Sequence, residues 1–361
     1  MSVRNQLYIL LFLCAVLPGC SPDSRQSGEY KIALVPELAG QHGIFVMNSD
    51  TSRSKLLTPE ATAQLRPSSW SPDGKKIAFF AALRQDADIL NQYRMPSHFL
   101  LYLINAAGGS PERLLDFPVS SFEFSPDGSQ LLYVSAYEDP ARNDADVVRG
   151  KKAPMSAVYL LNLQTGKHRR VTGFGQYCDG AWAPGGDRLA LSFGTEKGSD
   201  IYTATLDGKH TKRISDSPGI NTQPVWSPDG KKIAYISIVP HPEKGTDAGA
   251  YVMDAEGGNK RRIGNVTAYE VSWSLDGRSL LLQSAEGVTL ASADGARTIS
   301  LAQRLVQPRD AVFTPDGREI MFRSNHEGVW HLYAVDLAGA HLRRITGNLS
   351  ASMFCLSPLK R

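Results

Sequence analysis

Apolar runs such as Ile77-Ala78-Phe79-Phe80 and Ile233-Ala234-Tyr235-Ile236 recur along this chain, each directly after a short polar turn. Their alternation and their β-branched and aromatic content predict buried strands. The runs belong to a repeat. SWSPDGKKIAFF at Ser69–Phe80 returns as FEFSPDGSQLLYV at Phe122–Val134 and as VWSPDGKKIAYI at Val225–Ile236. Looser copies begin at Ala181, Ser272 and Val312, and a last fragment, FCLSPL, begins at Phe354. The residue ahead of each turn is Trp70, Phe124, Trp182, Trp226, Trp273, Phe313 and finally Leu356. Four of the five tryptophans share that one position, which is what a large ring filling the wedge between neighbouring units requires.

Ser-Pro-Asp-Gly makes a tight turn because proline presets φ, aspartate tolerates the next position and glycine takes the left-handed conformation that ends it. A third strand with an aromatic near its centre follows in each unit, as at Leu101-Tyr102-Leu103 and Val158-Tyr159-Leu160. A polar turn, typified by Leu206-Asp207-Gly208, leads to a fourth strand such as Arg169-Arg170-Val171-Thr172 or Arg343-Arg344-Ile345-Thr346. The basic pairs on these outermost strands read as solvated edges that block aggregation rather than as an anion site. Four strands per unit and 40 to 58 residues between turns predict an all-β, seven-bladed β-propeller of four-stranded antiparallel blades. Six blades carry full turns. The seventh is expected to join the N-terminal run Tyr30–Val35 to the C-terminal run Met353–Leu356, which removes the open sheet edges.

The unit WSPDG followed by an apolar strand resembles the WD40-like β-propeller (PD40) repeat of the TolB C-terminal domain, of dipeptidyl peptidase IV-type propellers and of many periplasmic lipoproteins. The resemblance extends over nearly all of residues 30–358 and implies the fold, while one propeller hosts many activities. A TolB-type α/β domain ahead of the propeller is not expected, because the first strand begins about ten residues after Cys20. A hydrolase domain after the propeller is not expected either.

The leader fits an envelope setting. Arg4, the apolar run Leu7–Leu17 and then Pro18-Gly19-Cys20 read as a processing signal over residues 1–19, too short in its apolar part to span a bilayer. Leu17-Pro18-Gly19-Cys20 resembles the lipobox of bacterial lipoproteins, which implies acylation at Cys20, a lipidated tether over residues 20–29 and a single propeller over 30–361. Ser21 after the cysteine is compatible, in that family, with outer-membrane sorting. The expected location is therefore the cell envelope, on a lipid anchor facing the periplasm, as a monomer. The formal charge of +3 belongs to a nearly neutral chain with scattered basic residues, which argues against nucleic acid. Cys178 and Cys355 remain either to form a disulfide or to stand as separate buried thiols, and the repeat register favours the second by setting them far apart.

Catalytic signatures are absent from the sequence. No Gly-x-Ser-x-Gly elbow occurs. His326-Glu327-Gly328-Val329-Trp330-His331 has its second histidine one residue late for a zinc-protease motif and reads as a turn between strands. Gly173-Phe174-Gly175 lacks the setting of a dinucleotide site. No metal and no cofactor are expected, and the main reading is a protein- or ligand-binding scaffold with a protein partner in the envelope. The alternative is a propeller carbohydrate-active enzyme like the oligogalacturonate lyases, with a metal on one rim.

Extra residues mark the expected binding rim. The second-to-third strand connections are long at Leu83–Ser97, Ala136–Ala157 and Ile238–Gly249, all on the rim opposite the Ser-Pro-Asp-Gly turns. Candidate contact residues there are Tyr93, Arg94, His98, Tyr137, Asp139, Arg142 and His241.

Overall fold

The computed structural model describes residues 29–36, 43–58, 65–82, 86, 99–137, 155–195, 198–216, 219–241, 245–301, 307–347 and 350–359. In chain order, β1 (Lys31–Val35), β2 (Phe45–Asn48) and β3 (Ser54–Leu56) are followed by β4 (Leu65–Trp70), β5 (Lys76–Ala81), β6 (Leu100–Asn105) and β7 (Glu112–Arg113). Next come β8 (Ser121–Phe124), β9 (Gln130–Ser135), β10 (Ala157–Asn162) and β11 (His168–Arg170). The middle of the chain holds β12 (Gln176–Trp182), β13 (Arg188–Thr195), β14 (Gly198–Thr205) and β15 (Thr211–Arg213), then β16 (Gly219–Trp226), β17 (Lys232–His241), β18 (Gly245–Asp254) and β19 (Arg261–Arg262). The last third holds β20 (Glu270–Trp273), β21 (Ser279–Gln283), β22 (Val288–Ser292) and β23 (Thr298–Leu301), then β24 (Arg309–Phe313), β25 (Glu319–Ser324), β26 (His331–Asp336) and β27 (Arg343–Arg344), and finally β28 (Met353–Leu356).

The expectation of seven four-stranded blades is corrected by the hydrogen bonding. Five blades stand as separate four-stranded sheets, and the eight strands from β12 to β19 form one larger sheet. The join is a short parallel pairing in which Gly198 and Ser199 of β14 lie beside Gly219 and Ile220 of β16. Glycine is needed on both sides, since a Cβ on Gly198 would overlap the carbonyl of Gly219 and one on Gly219 would overlap that of Ile238. Their φ angles of +135° and +99° likewise suit only glycine. A buried polar network holds the join: Ser199 Oγ donates to Asn221 O at 2.8 Å, Asn221 Nδ2 donates to Ser199 O at 3.1 Å, and Ser215 Oγ donates to Asp200 Oδ1 at 2.8 Å. Arg213 closes it on Asp200 at 2.7 Å. Hydrogen-bonded networks of this kind fix register, because any slip strands buried donors.

Strands from both ends of the chain share one sheet, with β28 antiparallel to β1 and Cys355 opposite Ala33. Trp70 Nε1–H reaches across from the next sheet to the carbonyl of Cys355 at 3.3 Å. The Cys355 thiol is free, and burial pushes its pKa up to about 12, so it is an inert packing group.

Packing between sheets follows the repeat. Trp70, Trp182, Trp226 and Trp273 are each 5–8% exposed and Phe124 is 6% exposed, and each ring sits in an apolar cluster shared with the preceding sheet or half-sheet. Phe313 is only partly buried and packs at the margin of its cluster. Within sheets, second- and third-strand aromatics lie directly opposite one another: Phe79 and Tyr102, Tyr133 and Tyr159, Tyr235 and Tyr251, Phe322 and Tyr333. These pairs stack with centroids 5.0–6.2 Å apart, the spacing at which aromatic pairs add to simple burial.

The turns form a belt around one rim. Ser71, Ser125, Ser227, Ser274 and Thr314 each donate to the aspartate two residues on at 2.6 Å. That bond and a backbone N–H hold the carboxyls of Asp73, Asp127, Asp229 and Asp276 below the usual range. Each turn glycine, at φ +67° to +71°, lies against the proline of the preceding turn: Gly128 on Pro72, Gly186 on Pro126, Gly230 on Pro184 and Gly277 on Pro228. Leu275 takes the proline's place against Gly317, and Pro358 of the C-terminal fragment closes the belt on Gly74.

The fourth strands are short, and most of their residues are exposed. Their cations are paired, Arg344 with Glu327 at 2.6 Å, Arg262 with Asp247 at 2.8 Å and Lys212 with Glu256 at 3.1 Å.

Replacing Trp226 by Ala is expected to destabilise by about 3–5 kcal/mol, the usual loss for a buried large aromatic, and Trp330→Ala by less. Urea denaturation of both variants reads the difference, and equal losses would break the link between repeat position and wedge.

Candidate binding rim

The first strands of the sheets pack against one another around the centre, while the fourth strands lie outermost. On the rim away from the turn belt emerge the second-to-third strand connections and the links between sheets. Of the three long connections, Ile238–Gly249 is not a loop. It is a two-stranded arm that continues β17 and β18, with Pro240 opposite Thr246 and His241 opposite Gly245. Pro240 is tolerated because it stands beyond Ile238, the last residue of β17 that β16 pairs. Tyr137 is half-buried at the exit of β9, its N–H donating to Ser135 Oγ at 3.0 Å, and burial raises its phenol pKa. Tyr93, Arg94, His98, Asp139, Arg142 and Cys20 lie outside the described residues. One anchor of the first connection is visible: Asp86 is fully buried, accepts from Tyr102 Oη–H at 2.7 Å and pairs with Arg113 at 3.3 Å.

A cluster not foreseen from the sequence gathers between β20, β24 and the β25–β26 connection. Arg309 of β24 stands opposite Arg323 of β25, and a bulge follows at once. At that bulge Asp310 adopts φ +53°, in the left-handed region, and its carboxylate is ion-paired with Arg323 Nε. The Arg323 guanidinium also lies 4.6 Å from the ring centroid of Trp330, a cation–π distance. Across the sheet boundary, Gln283 Oε1 accepts the N–H of Ala311 at 2.7 Å. Beside Gln283 on the paired strand, Glu270 has its pKa raised by burial and by Asp310, against the lowering pull of Arg309 and Arg323. Tyr269 is 48% exposed, Arg309 is exposed, and Ile220 on the fused sheet is 44% exposed. Met155 and Val329 are exposed on the same rim.

A signal for this cluster does exist in the chain. Asp179, Gln223, Glu270 and Asp310 all stand three residues ahead of the turn aromatic. Three of the four lie within a bulge of a first strand, and Gln223 shares the left-handed conformation of Asp310. Bulges re-aim side chains, so at three of the four sheets this polar position is taken out of the regular alternation of its strand. Thr222 Oγ1 donates to Asp179 Oδ2 at 2.8 Å, joining adjacent first strands.

Among the described residues no group of three or more His, Cys, Asp or Glu side chains has the closeness of a metal site. Glu327, in the segment with the near-zinc spacing, instead accepts from Tyr333 Oη–H at 2.9 Å and pairs with Arg344. His331 is buried with Nδ1 3.2 Å from Thr346 Oγ1.

A family model described as the TolB beta propeller domain matches residues 150–309. The chain carries a TolB-like β-propeller. It is 33% identical over 113 residues to the TolB homolog of Chlorobium chlorochromatii (strain CaD3), covering 31% of this chain and 22% of that one. It is 23% identical over 209 residues to the uncharacterized peptidase YuxL of Bacillus subtilis (strain 168), covering 57% and 29%. The matched part of this TolB-like chain thus spans less than a third of either relative. Among solved structures, TolB from Acinetobacter baumannii superposes with a TM-score of 0.54 at 18% identity, covering 91% of this chain and 82% of that one. An oligogalacturonate lyase from Vibrio parahaemolyticus superposes with a TM-score of 0.60 at 14% identity, covering 82% and 83%. At such identities the likeness is one of fold.

Nearer the turn belt, Glu123 of β8 accepts the N–H of Trp182 on β12 at 2.8 Å, and burial pushes its pKa up to about 7 from 4.5. A carboxyl raised in the folded state binds more protons there than in the unfolded chain between those two values. Its contribution to stability is therefore full below about 4.5 and is lost as pH rises through 7. Glu123→Gln keeps the acceptor and removes the charge. The variant is expected to gain stability relative to wild type between pH 5 and 8, roughly in step with that titration. Denaturation curves that stay parallel across the range would contradict it.

Proposed function

We propose that this chain is a cell-envelope lipoprotein, acylated at Cys20, whose TolB-like propeller docks a protein partner through the rim opposite the turn belt. The signal segment over residues 1–19 and the tether over 20–29 belong to this reading. The observation that carries it is the rim cluster: Arg309 stands opposite Arg323, Arg323 lies against the Trp330 ring, and the exposed Tyr269 adjoins Glu270, which interacts with both arginines, so residue types that dominate binding hot spots converge there. The partly exposed Asp310–Arg323 pair and the fused sheet beneath Ile220 hold this surface rigid before any partner arrives, which lowers the entropic cost of docking.

Pull-downs from detergent-solubilised envelopes test the reading. Tyr269→Ala with Arg309→Ala is expected to weaken capture by about tenfold or more, the effect of removing a hot spot, while Leu275→Ala on the turn belt leaves it unchanged. The same partner captured equally by all three proteins would reject the rim.

A second reading, a carbohydrate-active enzyme with a metal on one rim, is favoured by the fold shared with the oligogalacturonate lyase. Elemental analysis of the purified protein, with a screen on acidic oligosaccharides, separates it from the first.

A further inference from the structure

We infer that the turn belt faces the membrane and the Tyr269–Trp330 rim faces away from it. This rests on the lipid anchor at Cys20 proposed above. The placement comes from where the chain ends leave the ring. Strand β1 begins at the turn-belt rim and β28 ends there, paired side by side. A cleft of about 280 Å³ at that point is lined by Tyr30, Lys31, Asp73, Gly74, Ser357 and Pro358, so both ends of the described chain lie against the Ser71–Gly74 turn. Tyr30 is 7% exposed and Lys31 N–H donates to Ser357 Oγ at 2.8 Å, which fixes the exit point.

Only Ser21–Glu29 separate that exit from Cys20, a reach of at most roughly 30 Å when fully extended. Five or six residues of strand already measure roughly 17–20 Å. A tether doubling back past the sheet to bring the other rim to the bilayer would use most of its length in an extended form, at a large loss of chain entropy. Charge does not set the orientation, because turn-belt cations such as Lys75 and Lys209 sit beside acids of their own turns, 3.6 and 3.8 Å away. The tether alone does. It follows that the partner approaches from the aqueous side, as a soluble protein or one anchored elsewhere, rather than as a neighbour embedded in the same leaflet.

The test places a donor fluorophore, through an unnatural amino acid, at Leu275 on the turn belt or at Tyr269 on the other rim of the full-length lipidated protein. Vesicles of phosphatidylethanolamine and phosphatidylglycerol carry an acceptor on their headgroups. With about 20 Å of strand between the two positions, energy transfer is expected to be roughly twofold higher from Leu275. A twenty-residue Gly/Ser insertion after Glu29 should abolish the difference. Protein that floats with the vesicles but transfers equally, or better from Tyr269, overturns the orientation alone. Protein that fails to float, or a Cys20→Ala variant that floats as well as wild type, overturns the anchor and the orientation with it.

Discussion

The contact between a turn glycine and the proline of the preceding turn is the constraint on which this ring depends. A φ near +70° is what reserves this position for glycine, and in that conformation the turn rests in van der Waals contact on the neighbouring pyrrolidine. Because each turn rests on the one before, the first strands are set at a fixed angle to one another, and the wedge between them has a fixed size. The indole or phenyl ring ahead of each turn then fills that wedge. Trp70 shows the coupling: its indole N–H is bonded to the carbonyl of Cys355, and the Gly74 of its own turn meets Pro358 three residues further on. Trp273 repeats the pair inside the ring, its indole N–H donating to the carbonyl of Val225 at 3.1 Å while Gly277 meets Pro228, so one internal boundary and the closure of the chain ends are built alike.

This division of labour separates the two rims. On the belt side, local chemistry is spent on geometry: in the Ser71–Lys76 turn the hydroxyl, the carboxyl and the backbone N–H groups satisfy one another. On the far side, the first strands are free to bulge, since nothing equivalent holds their entry points. There Asp310 and Gln223 take the left-handed conformation, and strain of that kind persists only where surrounding structure enforces it. Arg323, Trp330 and Gln283 supply the enforcement around Asp310.

Much of the fold was legible because it is written locally and repeatedly. Trp70, Trp182, Trp226 and Trp273 could be placed by register alone, and the run at Met353 could be matched to the run at Tyr30 by what each lacked. The fused sheet was not legible, since it depends on Gly198 and Gly219, twenty-one residues apart, approaching at their backbones and on Asn221 and Ser199 exchanging bonds. The arm at Ile238–Gly249 is not legible either, because Pro240 and Gly245 are ordinarily punctuation, whereas a proline at the free end of a strand breaks no ladder bond. The rim cluster is hidden in the sequence for a different reason. Its members are spread over three strands, and the position three residues ahead of the turn aromatic follows ordinary alternation until the bulges break it.

A scaffold of this construction also constrains how recognition can evolve. Substitutions of the turn glycines and prolines act on the contact between two neighbouring turns, so they are felt as stability. Substitutions at Tyr269, Arg309 or Trp330 alter one sector only, because these residues lie outside the apolar clusters that adjacent sheets share. Arg323 is the exception, since it holds Asp310 and the Trp330 ring at once, and losing it would leave Glu270 and Asp310 with one cation fewer between them. The surface can therefore change its partner through the exposed residues while Arg323 and Asp310 keep the platform in place, and this is the arrangement expected of a rigid disc that binds rather than one that moves.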